Sequence, residues 1–263
     1  MNKKKKKLLW RALLALDLCV LLVSAFLLIR RAVNYADVKK EENSATIVLN
    51  LTDGGTALTE EEKSETPDAA EKTIKPEFRE LLNQNGDFVG ILSFADMNLY
   101  VCKGTDNSFY LNHKFDRTEN AAGMIFMDCA CEIDPECENL VLFGHNMKDG
   151  SRFGKLKRYE RKEYLRENPV ITFETLYEKH CYTPFAVLRA GLEKEDESYF
   201  MFDVPGFFDG ESFDAYVNRA LELSLYDTGV IPSYGDGVLT LATCTTSKEK
   251  RLVILCTEIN QVN

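Results

Sequence analysis

The longest apolar run of the chain lies at its start. Ala12 to Ile29 is nearly all Leu, Val, Ala and Phe, and with Leu8 to Arg11 it makes a stretch of the roughly 20 residues needed to cross a hydrocarbon core. Asp17 inside the run is costly but lies towards its inner end. Lys3 to Lys7 precede the run and predict a cytoplasmic N-terminus, with the rest of the chain outside. The small residues Val23-Ser24-Ala25 also resemble a cleavage site of an exported precursor, but Phe26 to Ile29 carry the apolar pattern past it, which favours a retained transmembrane helix.

Large apolar residues then thin out. Between Glu41 and Glu80 there are eleven acidic residues against four basic ones, a composition that buries too little surface to fold alone. The pattern therefore predicts three parts: residues 1–31 as basic tail and anchor, 32–73 as an acidic flexible stalk, and 74–263 as the folded domain. Within that domain Pro76 suits a first helical turn, Phe78, Leu81 and Leu82 share a helical face, and Asn85-Gly86 ends the helix.

Short apolar segments bounded by Gly, Asp or Asn follow, and each reads as a strand. They are Phe88–Phe94, Leu99–Val101, Gly123–Met127, Asn139–Phe143, Val170–Phe173, Tyr182–Arg189, Tyr199–Val204, Gly237–Thr243 and Arg251–Thr257. Their number and even spacing predict a mostly antiparallel barrel or sandwich. Two helical interruptions are predicted at Ser151–Glu167 and Asp209–Leu225. In the second, Phe213, Tyr216, Val217, Ala220 and Leu221 form one stripe and Asp209 caps the start.

Charge adds a constraint. Residues 1–31 hold eight basic residues against Asp17, so this end carries +7 and the remainder −17 of the net −10. An acidic body argues against nucleic acid as a partner. The eight cysteines are poorly spread for a disulfide scaffold: Cys19 lies in the apolar run, and Cys102, Cys181 and Cys256 sit in or beside apolar strands, as small hydrophobes do.

Two strand ends carry chemistry. Thr240 to Thr243 runs straight into Cys244; the polar turn Thr245 to Lys250 follows, and then a second strand from Arg251. If the two strands pair as a hairpin, Cys244 and Arg251 share one rim. A nearby cation favours the reactive thiolate, and a guanidinium there can also steady an oxyanion. Lys248 and Lys250 are weaker candidates, since a point charge cannot form the same fork. The strand from Asn139 likewise ends at His145, after Gly144 has given the backbone room to turn. A Cys and a His at strand ends are what thiol acyl transfer needs. Spacing alone also admits a structural histidine, a buried thiol and a solvated arginine at these positions.

Several motifs in order reduce that ambiguity. Gly144-His145-Asn146-Met147-Lys148-Asp149-Gly150-Ser151, with Phe153-Gly154 and Leu156 after it, resembles the histidine motif of class B sortases. Thr240 to Cys244 resembles the TLxTC signature of that family. Gly104-Thr105-Asp106-Asn107, Tyr110-Leu111-Asn112-His113 and the late helix Asp209–Leu225 are similar to class B features too, and the likeness covers roughly 80–263. It implies a mainly β fold, an eight-stranded sortase-type β-barrel with peripheral helices. It implies that Cys244 attacks a sorting signal of a secreted surface protein after Thr, that His145 protonates the leaving amine and that Arg251 steadies the oxyanion. The thioester is then passed to an amine of a peptidoglycan precursor or cross-bridge. This chemistry requires no metal or organic cofactor. The place implied is the cell membrane, single-pass, with the catalytic domain extracellular.

The chain departs from the family pattern in two places. Ala242 stands where the family often has Ser, and Cys129, Cys131 and Cys137 cluster among acids where sortases generally lack thiols. Three alternatives follow from the residues. One is a cysteine peptidase or peptidoglycan hydrolase that passes the acyl group to water. Another is a sortase-like binding module, which would need a missing catalytic residue where none is missing. The third is a thiol redox or metal-binding protein built on the three-cysteine segment, which reads otherwise as an acidic loop. His113 and His180 read as structural.

Overall fold

The computed structural model describes residues 3–53, 72–207, 209–244 and 250–259, with backbone alone for 3–9, 11–13, 51–53 and 244. It divides into two compact units, Met1–Lys40 and Glu41–Asn263.

The first helix, α1, runs from Lys3 to Asp53. Among the described residues no helix is long and apolar enough to cross a membrane. The transmembrane helix expected from the sequence is thus not supported here. Asp17 sits within the described apolar stretch of α1, and Arg30 and Arg31 close it. The expected stalk also needs correction. Residues 32–53 are helical, and Ala45, Val48 and Leu49 pack onto the main core at helical spacing. The compact body therefore starts at Glu41 rather than at 74. Composition hid this because the stripe is short and its flanks are charged. The rest of the expected stalk, 54–71, lies outside the described residues.

Eight strands close into a barrel: β1 (Phe88–Phe94), β2 (Met97–Cys102), β3 (Ile125–Met127), β4 (Asn139–His145), β5 (Ile171–Thr175), β6 (Lys179–Gly191), β7 (Val238–Cys244) and β8 (Lys250–Glu258). Around the barrel the order is β1-β2-β3-β4-β7-β8-β6-β5. Only the β2·β3 and β4·β7 pairs are parallel, and the other six are antiparallel.

Alternation sorts side chains between two cores. Leu239 and Leu241 of β7, with Leu252, Ile254 and Cys256 of β8, fill the barrel. Val238, Ala242, Val253 and Leu255 face outwards into a second core, beneath α4 (Gly210–Leu223), which contributes Phe213, Val217 and Ala220. Strands covered on both faces read as continuous apolar runs, which is why β7 and β8 show no clean alternation in the sequence. Asp209 caps α4 by accepting from the Ser212 amide at 2.9 Å, in a capping box with the Ser212 side chain.

Two expected elements differ. Tyr199–Val204 is not a strand. Its carbonyls at Phe202 and Val204 accept from the Asn139 side chain at 3.3 and 2.7 Å, so that segment is satisfied by a side chain rather than by a ladder. The helix expected over Ser151–Glu167 is a 3-10 turn, Gly154–Glu160, followed by α3 (Lys162–Glu167), and the break falls at Arg161, whose backbone is extended. A 3-10 turn, Pro76–Phe78, likewise opens the short α2 (Arg79–Gln84).

Buried His180 sits where β6 begins and β8 ends. Its Nδ1 lies 2.9 Å from Glu258 Oε1, and Nε2 is 3.2 Å from Glu136 Oε2, close enough for charge pairing but not aligned as a hydrogen bond. The Glu258 bond and the charges of Glu136, Glu258 and Glu178 raise the His180 pKa against the cost of burial. Burial raises that of Glu136, although the His180 and Lys72 charges oppose it. Both shifts have the same sign for stability. The charged imidazole stabilises the fold fully below its unfolded value of about 6.5, and that contribution is lost as pH rises through the higher folded value. Ionising Glu136 likewise costs the folded state as pH rises above the ordinary carboxylate range. His180→Gln is expected to lower the melting temperature more at about pH 6 than at about pH 9. A difference independent of pH would show that His180 is not charged in the fold.

Candidate active site

The parallel β4·β7 pairing runs in register from Asn139↔Val238 to His145↔Cys244. Antiparallel β7·β8 pairs run from Val238↔Thr257 to Ala242↔Val253. One step further, the Thr243 hydroxyl accepts from the Leu252 amide at 3.2 Å and donates to its carbonyl at 3.3 Å. Continuing that register sets Cys244 opposite Arg251, which itself pairs with Ala190 on β6. His145, Cys244 and Arg251 thus fall on three consecutive strands at one rim of the barrel. Strands lie about 4.8 Å apart, so the backbones of these three residues are close neighbours across the rim. The Cys244 side chain, the turn 245–249 and Lys248 within it lie outside the described residues. Lys250 is exposed and lies 3.6 Å from Asp196.

His145 is half-buried, and its Nε2 lies 2.7 Å from the Leu111 carbonyl oxygen. A carbonyl only accepts, so Nε2 carries the hydrogen and Nδ1 is left to give or take a proton. No sequence pattern singles out a backbone oxygen 34 residues upstream as the group that orients this ring. The nearest signal is the Tyr110–His113 motif, which turns out to build the segment that holds it. There Tyr110 is fully buried; its hydroxyl donates to Asp87 at 2.7 Å and accepts from Asn85 at 2.9 Å.

The residues after His145 are loop formers. Its carbonyl accepts from the Met147 and Phe153 amides at 3.0 and 3.1 Å, and Asn146 bridges Arg152. Asp149 accepts from the Ser151 amide and hydroxyl at 3.0 and 2.7 Å. A Cβ on Gly144 would come within 2.4 Å of Ile125 and 3.0 Å of the Phe153 ring, which packs under the strand end. One on Gly154 would sit 2.2 Å from the Met147 carbonyl. The histidine motif is therefore a tight turn that fixes the backbone at His145.

The other titratable candidates stand apart. His113 stacks on Phe109 at 4.0 Å, with Nδ1 2.8 Å from the Phe109 carbonyl oxygen. Cys131 is buried, its thiol is 3.4 Å from the Asn139 carbonyl, and burial pushes its pKa up to about 12. Cys137 Sγ accepts from the Glu132 amide at 3.1 Å, and Cys129, Cys131 and Cys137 are all free thiols. Among the described residues no group of three His, Cys, Asp or Glu side chains converges as metal ligands. Burial also keeps the Cys102 and Cys256 thiols protonated.

No family model matches the chain. The sortase B of Listeria monocytogenes is 30% identical to it over 178 residues, 67% of this chain and 70% of that protein. The chain belongs to the class B sortases. The Staphylococcus aureus sortase B is 27% identical over 187 residues, covering 69% of this chain and 74% of the relative. The structure of a Staphylococcus aureus sortase B–substrate complex superposes with a TM-score of 0.65 at 25% identity, over 72% of this chain and 87% of the other. The class B sortase described here is accordingly a cysteine transpeptidase on an eight-stranded barrel.

Proposed function

We propose that this sortase cleaves a C-terminal sorting signal of secreted surface proteins after Thr and joins them to a cell-wall amine. Cys244 is the nucleophile: its thiolate attacks the Thr carbonyl carbon, and Arg251 with nearby backbone amides steadies the oxyanion. His145 gives a proton from Nδ1 to the leaving amine as the C–N bond breaks, leaving a thioester on Cys244. An amine of a peptidoglycan precursor or cross-bridge then attacks the thioester. His145 takes up its proton, a new amide forms and the thiolate departs. The carrying observation is the shared rim position of His145, Cys244 and Arg251 on three consecutive strands. The substrate-complex relative adds support for a peptide signal as partner.

The test is intact mass spectrometry of the full chain after incubation with a mixed set of sorting-signal peptides. The expected result is a thioester adduct that an added amine discharges to a ligated product. An adduct that discharges only to water would overturn the transpeptidation step in favour of a peptidase, and no adduct with any peptide would sink the nucleophile assignment.

The same reading places the enzyme at the cell membrane, single-pass, with its N-terminus cytoplasmic and its catalytic domain extracellular. The large apolar side chains from Leu14 to Ile29 are exposed all round α1, a surface costly to leave in water, and Lys3 to Lys7 flank it. Expressed in cells, the full chain is expected to stay with the membrane fraction through alkaline carbonate extraction. Release into the soluble fraction would refute the anchor.

A further inference from the structure

Arg152 is among the largest fully buried side chains of the described residues, at 1% exposure, and it lies in the loop that leaves His145. Its φ is +52°, and its Nε has no hydrogen-bond partner among the described residues. A buried guanidinium needs an anion, and the partner comes from 111 residues upstream: Nη2 donates to Glu41 Oε2 at 2.6 Å. The Arg152 amide lies 3.3 Å from Glu42 Oε1 on the same helix. The other oxygen of Glu41, Oε1, accepts from the Phe115 amide at 3.1 Å.

One carboxylate therefore joins two segments that both act on His145. The Asn146–Arg152 turn fixes its backbone. The Leu111–Phe115 segment carries the carbonyl that orients its ring, and Phe115 is anchored by the Asn85 side chain at 2.9 Å and by packing on Tyr100. The α1 stretch bearing Glu41 is docked independently: Ala45, Val48 and Leu49 pack on the core, and Thr46 accepts from Asn98 at 3.0 Å.

We infer that Glu41 is a positioning residue for the transfer reaction, holding His145 in its reactive orientation by clamping its two supports together through Arg152 and Phe115. The inference rests on the reading of His145 as the proton-transfer group. It gives α1 a part in catalysis that the barrel strands alone do not supply. Glu41 acts through Arg152 and Phe115 rather than on the reacting atoms themselves, so its effect belongs in kcat rather than in substrate affinity.

The experiment uses the full chain and follows peptide transpeptidation for Glu41→Gln, in the parent and in a His145→Ala background. Gln can still accept from the Phe115 amide but offers no charge to Arg152. In the parent, kcat is expected to fall about 10- to 100-fold with KM within about twofold. In the His145→Ala background the same change is expected to alter the residual rate less than about twofold, since there is no ring left to position. Because Glu41→Gln strands a buried cation and can lower folding yield, Glu41→Gln/Arg152→Met is the second variant. It removes the charge with the tie, so the melting temperature should recover while kcat stays low.

An equal loss in both backgrounds, or recovery of kcat together with the melting temperature, would reduce the clamp to a stabilising contact and overturn the inference. An unchanged kcat for Glu41→Gln would do the same. If His145→Ala itself leaves kcat intact, the failure lies instead with the assignment of His145.

Discussion

Cys244→Ala is expected to lower turnover of a sorting-signal peptide by about 10^4-fold or more and to abolish the thioester adduct. The reason lies in the order of bond changes. Without the sulfur there is no covalent intermediate, and an amine must attack the unactivated peptide carbonyl directly. Neighbouring groups cannot take over, because the described thiols lie elsewhere: Cys131 is held protonated by burial, Cys102 and Cys256 likewise, and none of them ends β7. Cys137→Ala, a change in a loop away from the β7 rim, is the matched control and should keep the parent rate. His145→Ala removes the proposed proton-transfer group and should cost about 10^2- to 10^4-fold. Arg251→Lys keeps the charge but not the fork and should cost less than either. The assay is peptide transpeptidation with intact mass measured in parallel. Adduct on Cys244→Ala, or loss of adduct on Cys137→Ala, would move the nucleophile to the three-cysteine loop.

The second large effect is expected from Gly123→Ala, a change of one methyl group far from Cys244 in the sequence. Gly123 has φ of +53°, which costs an L-residue roughly 1–2 kcal/mol. A Cβ there would lie 2.5 Å from the Leu111 carbonyl oxygen and 2.6 Å from that of Tyr110. Both oxygens are in use, the first by His145 Nε2 and the second by the Met124 amide. They are backbone atoms, so relief requires the Tyr110–Leu111 segment to move. Strain and displacement together should cost about 2–4 kcal/mol of stability, a fall in melting temperature of roughly 5–15 °C. Activity should fall at temperatures where the variant is still folded, since the displaced oxygen is the one that orients the His145 ring. Gly86→Ala is the control: its Cβ would meet nothing within 4 Å, and the change should be neutral in both assays. Parent-like melting and activity in Gly123→Ala would show that the segment yields freely and that Leu111 does not hold the ring.

The two variants differ in what predicts them. The strand-end positions of Cys244 and His145 were readable because each ends an apolar run. The capped helix at Gly210–Leu223 was readable for a similar reason: its stripe and its Asp209 cap are local, decided within one or two turns of chain. The alternation that sorts β7 and β8 between two cores was present in the sequence but masked, because both faces are apolar.

What the sequence by itself determined was local: a mainly β domain, the positions of most strands, and a histidine, a cysteine and an arginine at strand ends. Tertiary structure decided which strand ends meet. The β4·β7 pairing that aligns His145 with Cys244 joins strands 99 residues apart, and nothing local to either strand encodes the other's register. It decided that Tyr199–Val204 is no strand, because the Asn139 side chain takes its carbonyls. It decided that the charged stretch from Glu41 belongs to the folded body, because a short stripe finds its core only once the barrel has closed. The physical reason is common to all of these. Propensity and periodicity act over a turn or a strand, whereas burial, register and the pairing of a buried charge are settled only when distant segments share one interior.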